Sequence, residues 1–258
     1  MTNDVQILNN GYPMPAVGLG VYKIADEQME EVVRTALDAG YRAFDTAYFY
    51  GNEKALGSAL KHSNVERDEL FITSKLWNDY QGYDQTIEYF NKSLDNLGLD
   101  YLDLFLIHWP CENDQLYIES YKALEHLYEE GKIKAIGVCN FKIHHLEKLM
   151  KETKITPQVN QIELHPYFNQ QDVQDFCDEH DIKVTAWMPL MRNKGLLDDP
   201  VITDIAHRYD KTPAQIVLRW HLAHNRIIIP KSQTPKRIKE NFDIFDFNLE
   251  LTDIAEID

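Results

Sequence analysis

The chain has 258 residues, close to the ~250 of a single α/β barrel and also long enough for two ordinary domains. Hydrophobic residues make up 44% and charged residues 26%, the balance of a globular protein with a sizeable core. A formal net charge of −16 argues against nucleic acid and anionic membrane surfaces as partners, so an anionic ligand needs a local basic patch.

The start, Met1-Thr2-Asn3-Asp4, offers neither the basic nor the apolar region of a signal peptide, and no apolar stretch reaches membrane-spanning length. Three scattered cysteines, Cys111, Cys139 and Cys177, give no disulfide framework. A cytoplasmic protein is therefore expected.

From the N-terminus, Gly11-Tyr12-Pro13 suggests a hairpin, and Ala16 to Gly20 reads as a first strand. Met29, Val32, Val33, Ala36 and Leu37 repeat at helical spacing, and Gly40 stops that helix. Tyr41 to Asp45 is a strand and Glu53 to Lys61 a helix; Leu70 to Lys75 is a strand, followed by a helix marked by Ile87, Phe90, Leu94 and Leu97. Leu102 to His108 is almost wholly apolar, as a strand buried on both faces must be. Ile118 to Glu130 is helical, Ile133 to Cys139 a strand, and a helix then runs to about Glu152. Three further strands, Gln158 to Leu164, Lys183 to Trp187 and Arg226 to Ile229, are followed by helices at Asp172 to His180, Pro213 to His224 and Pro235 to Phe242. A last helical pattern, Leu251, Ile254, Ala255 and Ile257, is still running at Asp258.

This is eight strand-then-helix units with no linker between them, so one domain over 1–258. Strands separated by helices pair in parallel. Eight such units fit a closed (β/α)8 TIM barrel better than an open doubly wound sheet. The dinucleotide fingerprint of the open sheet is also missing, because Gly18-Leu19-Gly20 lacks its third glycine.

Barrel chemistry sits at the C-terminal strand ends. Those ends carry Asp45, Lys75, His108, Asn140, Gln161, Trp187 and Lys231, with Tyr50 in the loop after the second strand. A phenol, with a pKa of about 10, is a poor acid at neutral pH. An ammonium beside it lowers that value, and a carboxylate holds the ammonium in place. An imidazole can orient a carbonyl oxygen. Asp45, Tyr50, Lys75 and His108 thus form a proton donor aimed at a developing alkoxide, lacking only a hydride source. Lys231, Ser232, Lys236, Arg237 and Lys239 form a basic cluster at a helix start after the last strand, where barrels bind phosphate. Trp187 offers a flat face to a ring.

The ordered segments Gly18 to Gly20, Phe44 to Glu53, Thr73 to Lys75, Leu106 to Pro110, Gly137 to Phe141, Val159 to Pro166 and Ile229 to Ser232, with Arg237, Glu240 and Asn241, resemble the aldo-keto reductase family over nearly the whole chain. The likeness is to its bacterial branch resembling 2,5-diketo-gluconate reductases. The resemblance implies a catalytic tetrad of Asp45, Tyr50, Lys75 and His108. It implies NADPH as cofactor, with Asn140 and Gln161 on the nicotinamide carboxamide and Trp187 on the ring. Lys231, Ser232 and Arg237 would hold the 2′-phosphate, and Glu240 and Asn241 the adenine. Gly20, Val21, Tyr22 and Asp45 complete the cofactor contacts. Tyr22, Phe49, Trp77, His108 and Trp109 would line a substrate pocket.

The implied reaction is reduction of aldehydes and ketones, such as methylglyoxal, α-keto esters or keto-sugars, by a monomer. Departures from the family pattern are Cys139 in place of serine, Met188, Gln233, a short Leu190 to Pro200 segment and a chain ending at Asp258. The last suggests an open pocket with high KM for small aldehydes.

Two other classes stay in play: a Schiff-base aldolase with Lys75 as nucleophile, and a non-catalytic NADPH-binding sensor. No metal site is expected. His221 and His224 lack a third ligand and are expected at the surface, His144 and His145 at a solvent-facing helix start, and His165 in a structural role.

Overall fold

A computed structural model describes residues 5–258. An antiparallel hairpin of β1 (Val5–Ile7) and β2 (Pro13–Pro15) opens the chain. Among the described residues, eight strands follow in one parallel sheet. They are β3 (Gly18–Gly20), β4 (Ala43–Asp45), β5 (Phe71–Leu76), β6 (Leu102–Ile107), β7 (Ile133–Cys139), β8 (Val159–Glu163), β9 (Lys183–Trp187) and β10 (Ile227–Ile228). Spatial order follows chain order from β3 to β10. The two ends meet at a single bridge, Val17 to Ile228, with Ile228 N–H donating to Ala16 O at 2.9 Å and Gly20 N–H to Pro230 O at 3.2 Å. The sheet is therefore a nearly closed barrel.

Ten α-helices surround it: α1 (Asp26–Ala39), α2 (Glu53–Lys61), α3 (Tyr83–Leu97), α4 (Asp114–Glu129), α5 (Ile143–Glu152), α6 (Gln171–Glu179), α7 (Pro200–Tyr209), α8 (Pro213–Ala223), α9 (Pro235–Phe242) and α10 (Leu251–Ile257), counted among the described residues. Their ends follow local chemistry. Thr212 and Gln215 form a reciprocal capping box on α8, with Pro213 in the first turn, where a missing N–H costs nothing. The expected face of α1, from Met29 to Leu37, is buried. One helix lies outside the sequence expectations. α7 is capped by Asp199, whose side chain accepts from Val201 N–H, and buries Ile202, Ile205 and Ala206.

Side chains alternate across the strands. Ala43, Phe71, Leu104, Leu106, Ala135 and Val159 fill the barrel interior, while Phe44, Ile72, Phe105 and Ile107 pack outward against helices. The hairpin plugs the N-terminal mouth through Leu8 and Met14, 2% and 3% exposed. Each such burial is worth about 1.5–3 kcal/mol. With that mouth plugged, only the C-terminal rim is left to hold a ligand.

His221, expected at the surface, is fully buried in α8, with Nε2 3.4 Å from Pro189 O. Burial and the nearby Arg226 guanidinium hold its pKa well below the usual histidine value. Only His224, one turn on, is partly exposed. Helical periodicity could not show that α8 is covered on that side.

Candidate active site

A cavity of about 860 Å³ opens at the C-terminal strand ends. Asp45 closes β4, Lys75 lies next to last in β5, and His108 follows β6. Adjacent parallel strands carry these side chains to one level. Lys75 Nζ donates to Asp45 Oδ1 in a very short contact, and to Thr46 O at 2.8 Å. Asp45 Oδ2 accepts from Gln161 Nε2 at 2.8 Å, so both carboxylate oxygens are used. These groups are 4% (Asp45), 0% (Lys75) and 3% (Gln161) exposed. A buried charge is tolerable only when paired in this way.

Tyr50 ends a 3₁₀ turn, Tyr48–Tyr50, that Gly51 terminates at φ 71°, a left-handed conformation that suits glycine. The turn brings the Tyr50 ring to 5.2 Å from Lys75 Nζ and 5.7 Å from the His108 ring.

The electrostatics correct one expectation. Burial pushes the Tyr50 phenol up to about 12, and the pull of Lys75 in the other direction does not overcome it. Burial would also depress Lys75, but Asp45 more than reverses this, so the ammonium stays charged. Burial, helped by Lys75, drives His108 down to about 3, leaving a neutral imidazole. Its Nδ1 is buried without a hydrogen-bond partner among the described residues, so Nε2 is the ring nitrogen that reaches the cavity.

Aromatic rings form the near wall. Phe49 and Trp77 stack at 3.8 Å between centroids, Trp77 meets His108 edge-on at 5.3 Å, and Tyr22 lies 4.8 Å from Tyr50. Trp109 stands edge-on to Trp187 at 6.5 Å. Trp187 Nε1 donates to Asn140 Oδ1 at 2.9 Å.

The far end is the last strand's loop and α9. Gly20 lets the first and last strands close together, since a Cβ there would lie 3.1 Å from Ile229 O. Lys231, Ser232, Arg237, Glu240 and Asn241 all line the cavity. Helical spacing explains which of the basic cluster takes part. Arg237, Glu240 and Asn241 share one face of α9, whereas Lys236 and Lys239 point elsewhere and do not line it. Glu240 accepts from Thr212 Oγ1 at 2.9 Å.

Val21 is set apart from the other expected contacts. Its side chain is in the core and does not line the cavity, while its N–H donates to Asp45 O at 3.0 Å. The structure adds Lys23, Pro189, Arg192, Leu197 and Asp198 to the lining. The last three come from the short segment after β9, which forms two 3₁₀ turns, Met191–Asn193 and Leu196–Asp198.

Residues 16–258 match the family described as the aldo/keto reductase family. The chain belongs to it. This aldo/keto reductase is 50% identical over 256 residues to glyoxal reductase of Bacillus subtilis strain 168, covering 99% of this chain and 92% of that one. The crystal structure of an aldo/keto reductase from Brucella melitensis superimposes with a TM-score of 0.97 at 49% identity, over 100% of this chain and 97% of the other. A mutant of the protein Gox0644 in complex with NADPH superimposes with a TM-score of 0.95 at 43% identity, over 100% and 93% of the two chains.

Proposed function

We propose that this aldo/keto reductase reduces aldehydes and ketones to alcohols with NADPH, small dicarbonyls such as glyoxal and methylglyoxal among them. The observation that carries this reading is one continuous cavity. Tyr50, His108 and Asp45, whose carboxylate holds the buried Lys75, line one end, and Lys231 and Arg237, unpaired among the described residues, line the other. The glyoxal reductase relative favours small dicarbonyl substrates over the aldolase alternative. A sensor has no use for a buried proton donor.

The residues present fit the cofactor. Lys231 and Arg237 line the cavity yet form no ion pair among the described residues, in a chain with 42 acidic and 26 basic side chains. Such cations suit a phosphate. Asn140 and Gln161 offer amides and Trp187 a ring at the other end. When bound, NADPH supplies the hydride.

The chain's own groups do the rest. Tyr50 holds its proton at every physiological pH, because burial raises its pKa to about 12. It hands that proton to the substrate oxygen as negative charge develops there. The transfer runs downhill, since an alkoxide is a base on the order of hydroxide and stronger than the phenolate it leaves behind. Lys75, held by Asp45 and Thr46 O, stabilises the phenolate left behind. Neutral His108 directs Nε2 at the same oxygen and adds no charge of its own. The aromatic walls exclude water.

We also take the chain to act as a cytoplasmic monomer, a reading supported by three unpaired cysteines, which suit a reducing compartment. Gel filtration and cell fractionation test it. Among the described residues, no helix is long and apolar enough to cross a membrane. The decisive assay is initial rates with glyoxal, methylglyoxal, an α-keto ester and a keto-sugar, each with NADPH and NADH. Turnover of none of them would end the proposal.

A further inference from the structure

Trp187 stands at the end of β9 with its ring half-buried on the cavity wall. Stacking on a flat ligand requires only the face of that ring. Its edge is also committed, because Nε1 donates to Asn140 Oδ1 at 2.9 Å. Asn140 follows β7 with φ 62°, its backbone N–H donating to Gln161 O at 2.9 Å. Its Nδ2 donates to the His108 carbonyl at 3.0 Å.

These two partners remove the usual ambiguity of a side-chain amide. An indole N–H can only donate, and a backbone carbonyl can only accept. Turning the amide over would set donor against donor at one end and acceptor against acceptor at the other. The Asn140 amide is therefore pinned from both sides. It has one N–H on Nδ2 and one lone pair on Oδ1 still to offer to the cavity. That donor–acceptor pair is the complement of a primary carboxamide, whose oxygen accepts and whose nitrogen donates. Cys139, the preceding residue, cannot help to hold that carboxamide, because its thiol is 1% exposed and burial pushes its pKa up, leaving a weak neutral donor.

We propose that Trp187 is a positioning residue that acts through Asn140. Its indole N–H fixes the Asn140 amide in the one orientation that docks the primary carboxamide of a nicotinamide. The proposal rests on reading the cavity as an NADPH site.

The probes are NADP+ and its 3-acetylpyridine analogue, in which a methyl group replaces the carboxamide nitrogen. The ratio of their Kd values isolates the carboxamide contact, because ring stacking and phosphate contacts are common to both. The wild-type protein should favour NADP+ by about 10-fold, the scale of one to two net hydrogen bonds. Trp187→Phe keeps a stacking ring without an N–H and should bring the ratio below about 3-fold. Asn140→Gly suits the left-handed backbone and should abolish the preference. The double variant should then show no further loss. An unchanged ratio in Trp187→Phe, or losses that add in the double variant, overturns the proposal.

The hydrogen bond itself is read without any cofactor. In the nitrogen-15-labelled protein, four tryptophans give four indole N–H signals, and Trp187→Phe identifies its own. Asn140→Gly should move that signal upfield and speed its exchange with water; an unmoved signal also overturns the proposal. If Trp187→Phe fails to fold, the Asn140→Gly ratio and the indole signal, assigned by through-space contacts, still decide. A wild-type protein that binds neither nucleotide, while its indole signal responds to Asn140→Gly, defeats the cofactor reading instead.

Discussion

At one end of the cavity, Lys75 is wholly buried, bonded to Asp45 and to Thr46 O, and Asp45 is bonded in turn to Gln161. At the other end, Lys231 and Arg237 are exposed and form no ion pair among the described residues; Lys231 Nζ donates to Gln233 Oε1 at 3.3 Å. Both ends use cations to handle negative charge, under opposite constraints. A buried ammonium cannot wait for a ligand, because desolvation costs too much without a resident partner. An exposed cation can wait, since water solvates it until a phosphate arrives. The buried end is thus preorganised for a charge that exists only briefly, and the exposed end is available for one carried in permanently.

The same substitution at the two ends should expose this contrast most sharply. Lys75→Met strands the Asp45 carboxylate and should destabilise the fold by about 3–5 kcal/mol. Lys231→Met should leave the thermal midpoint within about 1 °C, since unpaired surface changes rarely matter to stability. Equal midpoints for the two variants in calorimetry would erase the distinction.

Next in size is Tyr50→Phe, which removes one hydroxyl from the buried end. Turnover should fall at least ~10²-fold, the range for losing a general acid, while NADPH titration gives a near-normal Kd. Turnover close to wild type would remove Tyr50 from its role. Arg237→Ala probes the exposed end, and should weaken NADPH about 10-fold, one charge-assisted hydrogen bond, with NADH almost unaffected. A parallel loss for both nucleotides would show that Arg237 does not read the phosphate.

The smallest effect concerns buried charge that is refused rather than paired. His221 has its pKa lowered by burial first and Arg226 second. The folded state then declines a proton that the unfolded chain accepts below about pH 6.5. Stability is complete above that pH and falls as pH drops through it. At pH 6 the loss for one such histidine is about 0.8 kcal/mol. His221→Gln should flatten the fall in melting temperature between pH 7 and 6 relative to wild type, and an identical slope would refute the assignment.

Much of the barrel is legible in the sequence because its strands are buried on both faces. Ile133 to Cys139 and Lys183 to Trp187 agree with the structure to the residue. The last strand is less so, since only Ile227–Ile228 of the expected Arg226 to Ile229 forms ladder pairs, although Ile229 N–H still donates to Ala186 O at 3.3 Å. α7 escapes the pattern although Asp199-Pro200 is a helix start; its apolar face, Ile202, Ile205 and Ala206, is too short to stand out from a loop. The site residues can be named because reactive types at strand ends have few structural reasons to be there. Their state cannot be read, because the Tyr50 pKa depends on how much protein covers the ring, which spacing does not encode. Nor does any pattern signal the Trp187–Asn140 bond, which joins the end of β9 to the residue after β7, 47 positions away.

The barrel's seam has a consequence for its motions. First and last strands meet through one bridge, Val17 to Ile228, and the cavity straddles that junction, with Gly20 on one bank and Lys231 and Ser232 on the other. A nucleotide seated there acts as a staple across the weakest closure of the cylinder. It adds its binding free energy only to the shut form, about 2.7 kcal/mol at a hundredfold excess over Kd. Deuterium uptake at the Gly20 and Ile228 amides, whose bonds span the seam, should then slow about 100-fold, while amides of the β5–β6 interior keep the pace they had.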